Sequence, residues 1–416
     1  MLLTALAVAC GTTALPGPTT SPAPTVVPTA TLVDLGPPSP QADRILEHIR
    51  ALAAGPRLAG SPADGETVAY AREQFEQAGY DVEVQEFTAE VRGPLRYTTL
   101  SVDQPEQRDL RAVAFSGSAA GEASGLLLDV GTGQEDEIPA DAAGAVLLFQ
   151  RQDVLFIDMA QRAQAAGAAA VIVANREPEI FVGGLEPAVN IVMVSIDQAD
   201  GEALRRLLAA GQVEVSLNVR RQVTAHNVIA RPASGTCRTL SGGHYDSVPW
   251  ADGATDNASG SAVVLELARA ASAAGLDDAC FALFGAEEVG LVGSEFFVAN
   301  LSAGERAALE AMFNFDVVAG TGAVQLIGDS GLIGSVDALA DEVGISAVPS
   351  SLPENAGSDH LSFLEAQIPA LMFSASGGPP IHTPQDNVAN LVADTLGPVA
   401  RLAFAGLARG LPPRPE

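Results

Sequence analysis

Hydrophobic and polar positions alternate with helical and strand periods along most of the chain beyond residue 40. Ile45, Ile49 and Leu52 lie at i, i+4 and i+7, which is the spacing of one apolar helix face. A second helix is predicted to begin after Ser61, because a serine followed by a proline is a favourable helix start. The stretch 82–87 then alternates apolar and polar residues, which predicts a half-buried strand.

Short uninterrupted apolar stretches, separated by helical ones, dominate residues 222–412. Strands without polar alternation are typical of a largely parallel sheet that helices cover on both faces. The predicted fold class is therefore α/β, with a mostly parallel mixed sheet flanked by helices. In such open sheets the functional residues lie beyond the carboxyl ends of the strands. The predicted strands are Asn227–Ala230, Thr239–Gly243, Cys280–Gly285, Ala311–Phe315 and Ala370–Phe373.

Side chains that can bind metal ions follow these strands, either directly or in the next loop. Because the carboxyl ends of parallel strands meet at one edge of a sheet, we expect these side chains to converge. Two imidazoles and three carboxylates suit a pair of zinc ions, whereas three carboxylates packed without cations would repel one another. The predicted ligands are His244, Asp256, Glu288, Asp316 and His382.

Two further acidic residues have separate predicted tasks. Glu287 adjoins Glu288 in the chain and is expected to stand free of the metals, where it can take a proton from water. Asp246 lies two residues after His244 and is placed to accept the second ring N–H of that histidine, which would fix its tautomer.

Residues 92–220 have the pattern of a separate module with its own strands and helices. The segments Gly144–Arg151 and Ala163–Asn175 resemble the protease-associated (PA) domain, which implies an inserted β-rich α/β domain. A generic α/β insert is the alternative interpretation. Strands are predicted over 145–149, 168–174, 191–196 and 213–219, and helices over 157–166 and 201–209.

The predicted site residues belong to longer motifs that occur in a characteristic order. The motifs are His244-Tyr-Asp246-Ser, Asp256-Asn-Ala-Ser-Gly260, Gly285–Ser294, Asn314-Phe-Asp316, Ser358-Asp-His360 and Ile381–Asp386. Together they resemble the co-catalytic di-zinc exopeptidase family, which includes bacterial leucyl aminopeptidase, the Streptomyces-type aminopeptidase and glutamate carboxypeptidase. A PA domain inserted before the catalytic half is also an arrangement of that family.

The resemblance implies two zinc ions as cofactors, peptides as substrates and a cis peptide bond between Asp256 and Asn257. It implies hydrolysis of a peptide bond at a chain terminus by a hydroxide that bridges the metals. An aminopeptidase is expected, because no basic cluster near the motifs suggests recognition of a terminal carboxylate. The implied roles are His244 and Asp316 on one zinc, Glu288 and His382 on the other, Asp256 bridging them, Glu287 as general acid/base, and Asp246 supporting His244.

Other functions stay open in the sequence. A zinc carboxypeptidase could use the same site, and glutaminyl cyclisation by single-zinc relatives is less expected with both ligand sets intact. The segment Gly328–Gly331 resembles the nucleophile segment of chymotrypsin-like proteases, so a serine hydrolase would use Ser330 with His360 or His382. A receptor-like binding protein without catalysis should have lost metal ligands, and all five are present here.

Five residues are candidates for the substrate pocket. Ser358, Asp359 and His360 belong to a motif that lies near the pocket in relatives, with a wall or supporting role expected for the histidine. Ile381 precedes a predicted metal ligand. Trp250 lies in the loop between the first two motifs and either lines the substrate entrance or anchors that loop.

The remaining histidines and two of the cysteines receive structural interpretations. His226 is predicted to be a hydrogen-bonded strand residue, and His48 to lie on an exposed helix face. If the strands beside Cys237 and Cys280 are parallel neighbours that end level, the two sulfurs start level and can form a disulfide in an exported chain. Two buried free thiols are the alternative.

The amino-terminal residues differ from the rest of the chain. Residues 1–10 are apolar and end in Ala7-Val8-Ala9-Cys10, which resembles the lipobox of a bacterial lipoprotein signal peptide. We therefore expect lipidation at Cys10 and an exported protein, secreted or attached to the cell envelope. Residues 11–40 are rich in proline and threonine and predict a semi-rigid tether. An apolar disordered tail is the alternative for the first segment.

Composition narrows the function further. The formal charge is −29, and all 22 basic residues among the 416 are arginine. Without lysine, Schiff-base and pyridoxal-phosphate chemistry are excluded. So acidic a chain is not expected to bind nucleic acid, or to reach a membrane except through a lipid anchor; its oligomeric state is not predicted. The expected peptidase domain comprises residues 41–91 and 221–416, with the PA insert at 92–220.

Overall fold

The computed structural model describes most of the chain beyond the predicted tether. The predicted signal segment 1–10 with Cys10, and residues 11–38 of the tether, lie outside the described residues. No helix within the described part is long and apolar enough to cross a membrane. The described ranges are 39–139, 142–354 and 356–411.

The described ranges contain sixteen strands, which form two sheets of eight strands each. The strands are β1 (Asp81–Glu90), β2 (Thr98–Gln104), β3 (Arg108–Leu110), β4 (Val113–Ala114), β5 (Gly121–Asp129), β6 (Val146–Gln150), β7 (Ala170–Ala174), β8 (Val192–Ile196), β9 (Glu214–Val219), β10 (Gln222–Arg231), β11 (Thr239–His244), β12 (Ala279–Phe284), β13 (Ala311–Phe315), β14 (Thr321–Gly328), β15 (Ala347–Pro349) and β16 (Ala370–Ser376).

Ten α-helices accompany the strands in the same ranges. They are α1 (Ala42–Leu52), α2 (Pro62–Gln77), α3 (Phe156–Ala165), α4 (Gln198–Ala210), α5 (Ser259–Ala274), α6 (Val292–Asn300), α7 (Ala303–Ala308), α8 (Ser330–Val343), α9 (His360–Glu365) and α10 (Leu396–Arg409). Short helical turns lie at Gly93–Leu95, Glu135–Glu137, Ala254–Ala258 and Val388–Asn390.

Local signals in the sequence account for several helix ends. The Ser61 hydroxyl accepts a hydrogen bond from the backbone N–H of Asp64 and caps α2, as predicted. The Asp329 carboxylate caps α8 in the same way. Gly275 and Gly344 end α5 and α8 with φ of 72° and 68°, a left-handed conformation that glycine adopts without strain.

The first sheet has the strand order β1-β10-β12-β11-β13-β16-β14-β15. Its four central strands, from β12 to β16, run parallel, whereas β1, β10 and β14 each pair antiparallel with a neighbour. Alternate residues of β12 belong to two different buried clusters, with Phe281 on one face and Phe284 on the other. Burial on both faces explains why polar alternation is missing, and it confirms the predicted α/β class.

The edges of this sheet were harder to predict than its centre. Strands β14 and β15 had no counterpart among the predicted strands. Strand β1 forms the opposite edge, and Val84 in it remains 36% exposed, so the predicted inward alternation holds only from Phe87 onward. An edge strand has one neighbour and less cover, so its side chains are less strongly sorted between core and solvent.

The second sheet has the order β3-β2-β9-β5-β6-β7-β8-β4, and its strands all lie between residues 98 and 219. Strands β5 to β8 run parallel. Met159 on α3 and Leu204 on α4 belong to separate buried clusters, each of which also includes residues of β6 and β7. The predicted strands and helices of the insert are present, with ends that differ from the predicted ones by at most three residues.

The antiparallel pair of β1 and β10 is the stem of the second module. Its register runs without a break from Asp81 opposite Arg231 to Glu90 opposite Gln222. The chain therefore enters and leaves the module at the same end of this pair. This stem fixes the second sheet next to the first.

One histidine and one pair of cysteines lie in surroundings that differ from the sequence-based expectation. His48 is buried rather than exposed, because its face of α1 packs towards Tyr70 of α2, and the Tyr70 hydroxyl lies 2.7 Å from His48 Nδ1. Cys237 and Cys280 are joined by a disulfide, with their Cα atoms 5.3 Å apart. The assumed register was wrong, since Leu240 is the strand partner of Cys280 and Cys237 reaches it from the turn before β11.

Candidate active site

Two neighbouring parallel strands and the turn before α5 bring the first group of predicted ligands together. His244 is the last residue of β11, and Asp316 directly follows β13, the strand beside it. His244 Nε2 lies 3.3 Å from Asp316 Oδ1 and 3.2 Å from Asp256 Oδ1. The side chains of all three are nearly buried. The expected meeting at the carboxyl ends of the strands is therefore present.

A second group forms around the other oxygen of Asp256. His382 Nε2 lies 3.0 Å from Asp256 Oδ2 and 3.1 Å from Glu288 Oε2. Asp256 thus turns one carboxylate oxygen to each imidazole. This is the geometry that a carboxylate shared by two metal ions requires.

Glu287 lies beside the first group, with its Oε2 atom 3.8 Å from His244 Nε2. The Asp246 carboxylate accepts hydrogen bonds from the backbone N–H groups of Glu287 and Glu288, at 3.1 and 3.3 Å. Its predicted bond to His244 is not made by the carboxylate: Oδ1 is 3.6 Å from Nδ1, whereas the Asp246 carbonyl oxygen is at 3.2 Å. The Asp246 carboxylate instead binds the backbone of Glu287 and Glu288, and its carbonyl oxygen faces His244. Asp246 therefore supports both the Glu287–Glu288 turn and the imidazole of His244.

The backbone around the site adopts unusual conformations. Four non-glycine residues with positive φ lie at or next to the cluster, and such conformations persist only where the surroundings impose them. The peptide bond between Asp256 and Asn257 is cis. The four residues are Ala286 (φ 58°), Leu291 (59°), Val317 (52°) and His382 (54°).

The electrostatics of the cluster favour added positive charge. Burial opposes protonation of His244, but the carboxylates around it, Glu287 foremost, raise its pKa well above the ordinary value. Hydrogen bonds to Asp256 and Glu288 raise the pKa of His382 to about 11. Burial raises the pKa of Glu287, and that of Glu288 to about 7. The raised pKa values of the two imidazoles indicate an excess of negative charge around them, whereas burial is the main cause of the raised carboxyl pKa values.

Divalent cations fit this donor set. Two groups each bring ligand atoms within 4.8 Å of one another: His244, Glu287 and Asp316 in one, and Asp256, Glu288 and His382 in the other. Glu288 Oε1 is buried and has no hydrogen-bond partner among the described residues, as expected for an atom that a cation would contact. Imidazole nitrogen with carboxylate oxygen is a zinc-type donor set.

Buried polar residues behind the cluster hold the candidate ligands in place. Ser358 donates a hydrogen bond of 2.7 Å to Asp316 Oδ2 and accepts one of 2.6 Å from Asn314. The buried Asp386 carboxylate accepts from the backbone N–H groups of Thr255 and Asp256 at 2.7 and 3.1 Å. The sequence analysis assigned no role to Asp386, although its position at the end of the motif that contains His382 could have indicated a role at the site.

Arg57 is the supporting residue that sequence reasoning missed entirely. Its side chain is buried, and burial lowers the pKa of its guanidinium to about 10. The guanidinium donates to carbonyl oxygens at both ends of the loop from Tyr245 to Gly253. An arginine in a Gly-Pro turn gives no sequence signal of burial. Its five acceptors are the carbonyls of Leu52, Gly55, Tyr245, Asp252 and Gly253.

We expect Arg57→Met to lower the free energy of unfolding by at least about 3 kcal/mol, because it leaves several buried carbonyls without donors. Arg57→Lys should recover part of the loss, since an ammonium has only three donors. Arg72→Met is the matched control: Arg72 makes an exposed ion pair with Glu76 and should change stability by less than about 1 kcal/mol. Urea unfolding of the three variants measures this, and equal losses for Arg57→Met and Arg72→Met would contradict it.

A cavity of about 570 Å³ opens beside the paired groups. The candidate ligands and Glu287 form part of its lining, and most of the remaining lining residues are apolar. Ile381 lines this cavity, as predicted. The apolar part is formed by Leu291, Val317, Ile327, Leu352, Pro353, Met372 and Ile381.

The other four pocket candidates do not line this cavity. Ser358 is behind Asp316, and Asp359 and His360 are buried at the start of α9, where burial raises the pKa of Asp359 to about 7 and lowers that of His360 to about 4. Trp250 lies outside the cavity wall, with its indole N–H donating to the carbonyl oxygen of His382 at 2.9 Å. The motif pattern identified their neighbourhood, but not which way each side chain faces.

Two remaining predictions concern residues away from the metal groups. His226 lies in β10 with Nδ1 3.2 Å from Asp64 Oδ2, in agreement with a structural role. Ser330 is exposed at the first turn of α8, and the preceding Asp329 carboxylate caps that helix. Neither His360 nor His382 is hydrogen-bonded to Ser330 in the described ranges, so the arrangement that a serine nucleophile needs is not formed there.

Comparison with known proteins agrees with this fold and site. Residues 227–406 match the model of peptidase family M28, and residues 109–204 match that of the PA domain. Aminopeptidase YwaD from Bacillus subtilis is 32% identical over 385 residues, which cover 85% of this chain and 81% of that protein.

Two solved structures extend the similarity to the three-dimensional fold. The aminopeptidase from Aneurinibacillus sp. strain AM-1 has a TM-score of 0.56 at 31% identity, covering 89% of this chain and 94% of that chain. BSAP, a zinc aminopeptidase from Bacillus subtilis, has a TM-score of 0.59 at 30% identity, covering 89% of this chain and 95% of that chain.

Fold, site and similarities together define a metallo-aminopeptidase class of protein with a PA domain. The chain belongs to peptidase family M28. The predicted resemblance to the co-catalytic zinc exopeptidases is thereby confirmed.

Proposed function

We propose that this protein is a di-zinc aminopeptidase that removes residues from the amino terminus of peptides. The observation that carries the proposal is the position of Asp256, whose two carboxylate oxygens lie 3.2 and 3.0 Å from the imidazoles of His244 and His382. His244 and Asp316 would hold one ion, Glu288 and His382 the other, and Asp256 both. When bound, such ions polarise the scissile carbonyl. They also lower the pKa of a water, so that near neutral pH it can lose a proton and attack that carbonyl.

Glu287 is the residue best placed to move the proton. Its carboxylate lines the cavity next to His244, and Asp246 fixes its backbone N–H. Glu287 can accept a proton from the attacking water on Oε2 and then donate it to the nitrogen of the leaving amine. Ligand atoms of Glu287, His244 and Asp316 also lie within 4.8 Å of one another, so the role of Glu287 as a proton carrier depends on Asp256 completing the first metal site.

The charge of the cavity favours a free amino terminus over a free carboxyl terminus. None of the described residues that line it is an arginine, whereas Asp256, Glu287, Glu288 and Asp316 all reach it. Bound dications would neutralise the three ligand carboxylates, so the free negative charge left for an α-ammonium group to face is that of Glu287. A terminal carboxylate is disfavoured because no arginine among the described lining residues is there to pair with it. The apolar part of the cavity suits an apolar first side chain.

We also propose that the protein works outside the cytoplasm. The disulfide between Cys237 and Cys280 is of a kind that persists in oxidising compartments. The lipobox-like Ala7–Cys10 segment points in the same direction. Labelling of the full-length protein with a radioactive fatty acid, compared with a Cys10→Ser variant, tests the lipid anchor; equal labelling of both would contradict it.

The proposed activity is tested by substrate choice and metal removal together. Leucine p-nitroanilide should be hydrolysed, and an N-blocked peptide ending in glutamate should not. A chelator should abolish the activity and zinc should restore it, because no protein group besides Glu287 is proposed to activate water. A serine-directed phosphonate serves as the control and should have no effect. Cleavage only of the blocked peptide would favour a carboxypeptidase, and resistance to the chelator would overturn both metal-dependent activities.

A further inference from the structure

His382 is the most exposed member of the candidate metal cluster. Its side chain is 50% exposed, whereas those of His244, Asp256, Glu288 and Asp316 are at most 9% exposed. The other four stand at strand ends or in buried turns. The position of the His382 imidazole therefore depends more than theirs on the contacts that other residues make with the His382 backbone.

The backbone of His382 is held in a conformation that it would not adopt alone. Its φ is 54°, and it lies in a loop outside the helices and strands. Such conformations require support from the surroundings. Asp386 fixes the same loop four residues further on. At His382 itself, the support is the indole N–H of Trp250, which donates to the His382 carbonyl oxygen at 2.9 Å.

Pro249, the residue before Trp250, is hydrogen-bonded to a residue of the second module. Arg111 donates two hydrogen bonds, from Nε and Nη2, to the carbonyl oxygen of Pro249 at 3.1 and 2.8 Å. A guanidinium that binds one acceptor through two N–H groups is held more firmly than by a single bond.

Arg111 is an exposed residue whose guanidinium is partly covered where it meets Pro249. It lies between β3 and β4, and its neighbours Leu110 and Ala112 are buried, which anchors its backbone. Burial lowers the pKa of its guanidinium, whereas Asp252, in the same loop as Pro249, acts in the opposite direction. The second module thus presents a cation to a loop that carries a matching negative charge.

We propose that the PA domain is a structural part of the metal site, because Arg111 positions His382 through Pro249 and Trp250. Arg111 and Trp250 are positioning residues, since neither lines the cavity or contacts a candidate ligand side chain. The inference rests on the proposed di-zinc function and adds a task for the inserted domain: keeping the exposed imidazole ready to bind its ion.

We call the contacts from Arg111 through Pro249 and Trp250 to His382 the relay. Three variants test it. Arg111→Met removes the donors but keeps a long side chain, and Trp250→Phe keeps a ring but removes the N–H. Arg111→Lys keeps the positive charge but lacks the planar pair of N–H donors that binds the Pro249 carbonyl oxygen. The matched control is Arg108→Met, since Arg108 lies three residues away in the same module and makes an exposed ion pair with Asp200. Unfolding temperatures within a few degrees of the wild type would show that the variants are folded.

The readout is metal affinity in the intact protein. Competition with a chromophoric chelator should show that Arg111→Met and Trp250→Phe each weaken one of the two zinc ions by about 10-fold, the lower range seen when residues that orient a ligand are changed. The absorption spectrum of the cobalt-loaded protein should change at one site only. The double variant should be no weaker than the worse single variant, because both changes break the same relay. Arg111→Lys should recover part of the affinity, and Arg108→Met should match the wild type.

The possible results distinguish a failure of the relay from a failure of the proposed di-zinc function. Wild-type affinity in Arg111→Met, or effects of the two variants that multiply independently, would overturn the relay while leaving a zinc-dependent wild type intact. A wild type that binds no zinc, or that remains active after chelation, would overturn the proposed function and the relay with it.

Discussion

Glu287→Gln is expected to lower kcat for leucine p-nitroanilide by about 10²- to 10⁴-fold, the usual contribution of a general acid or base. Glutamine has nearly the same shape as glutamate but cannot take the proton of the attacking water. Because Glu287 is proposed to stand outside the metal shell, the variant should bind both zinc ions as tightly as the wild type. The measurements are steady-state kinetics and the zinc content of the dialysed protein.

Glu295→Gln is a suitable control for this change. Glu295 is exposed in the first turn of α6, only eight residues further along the chain. It should have wild-type kcat and zinc content. If Glu287→Gln lost a zinc ion along with its activity, Glu287 would be a ligand, as its grouping with His244 and Asp316 also allows geometrically. If it kept full activity, another group would have to move the proton.

Asp256→Asn should have the largest effect on metal binding. One carboxylate oxygen of Asp256 faces each imidazole, so a neutral amide weakens both sites at once. Changing residues that merely orient ligands costs about 10- to 100-fold in affinity, so losing a shared ligand should cost at least about 100-fold at each site. Activity should fall below about one per cent of the wild type at micromolar zinc. Isothermal titration with zinc, alongside the nitroanilide assay, measures both effects.

Asp277→Asn is the matched control, because it removes the same charge from an exposed position outside the candidate site. The carbonyl oxygen of Asp277 accepts a hydrogen bond from Ser234, an interaction that the amide substitution leaves in place. Two intact zinc sites in Asp256→Asn would contradict the shared-ligand geometry. The pair of predictions also distinguishes the two residues, since Glu287→Gln should keep its metals and Asp256→Asn should lose them.

Most of the candidate site could be predicted because its ligands follow strands. His244, Asp316 and Glu288 come from three adjacent parallel strands, whose carboxyl ends must meet at one edge of the sheet. The residue types then restrict the chemistry. The separate module was also recognisable, because its buried strands repeat the same apolar pattern.

Supporting contacts were predicted less well. Asp246 lies near His244, as expected, yet its carboxylate binds the backbone of Glu287 and Glu288. Ser358 and His360 belong to the right motif but do not line the cavity. Sequence spacing gives the position of a residue along the chain, whereas the direction of a side chain in a loop depends on what packs around it.

The amino-acid sequence by itself determined the fold class, the positions of the strands that carry the site and the identity of the candidate ligands, because apolar periodicity and strand ends are local properties. The tertiary structure decided how those ligands are held. Arg57 reaches the loop that follows His244 across nearly 190 residues of chain, and Arg111 reaches Pro249 across 138. Such contacts exist only after distant segments of the chain have packed, because a guanidinium must find whichever carbonyl oxygens the surrounding fold leaves unpaired.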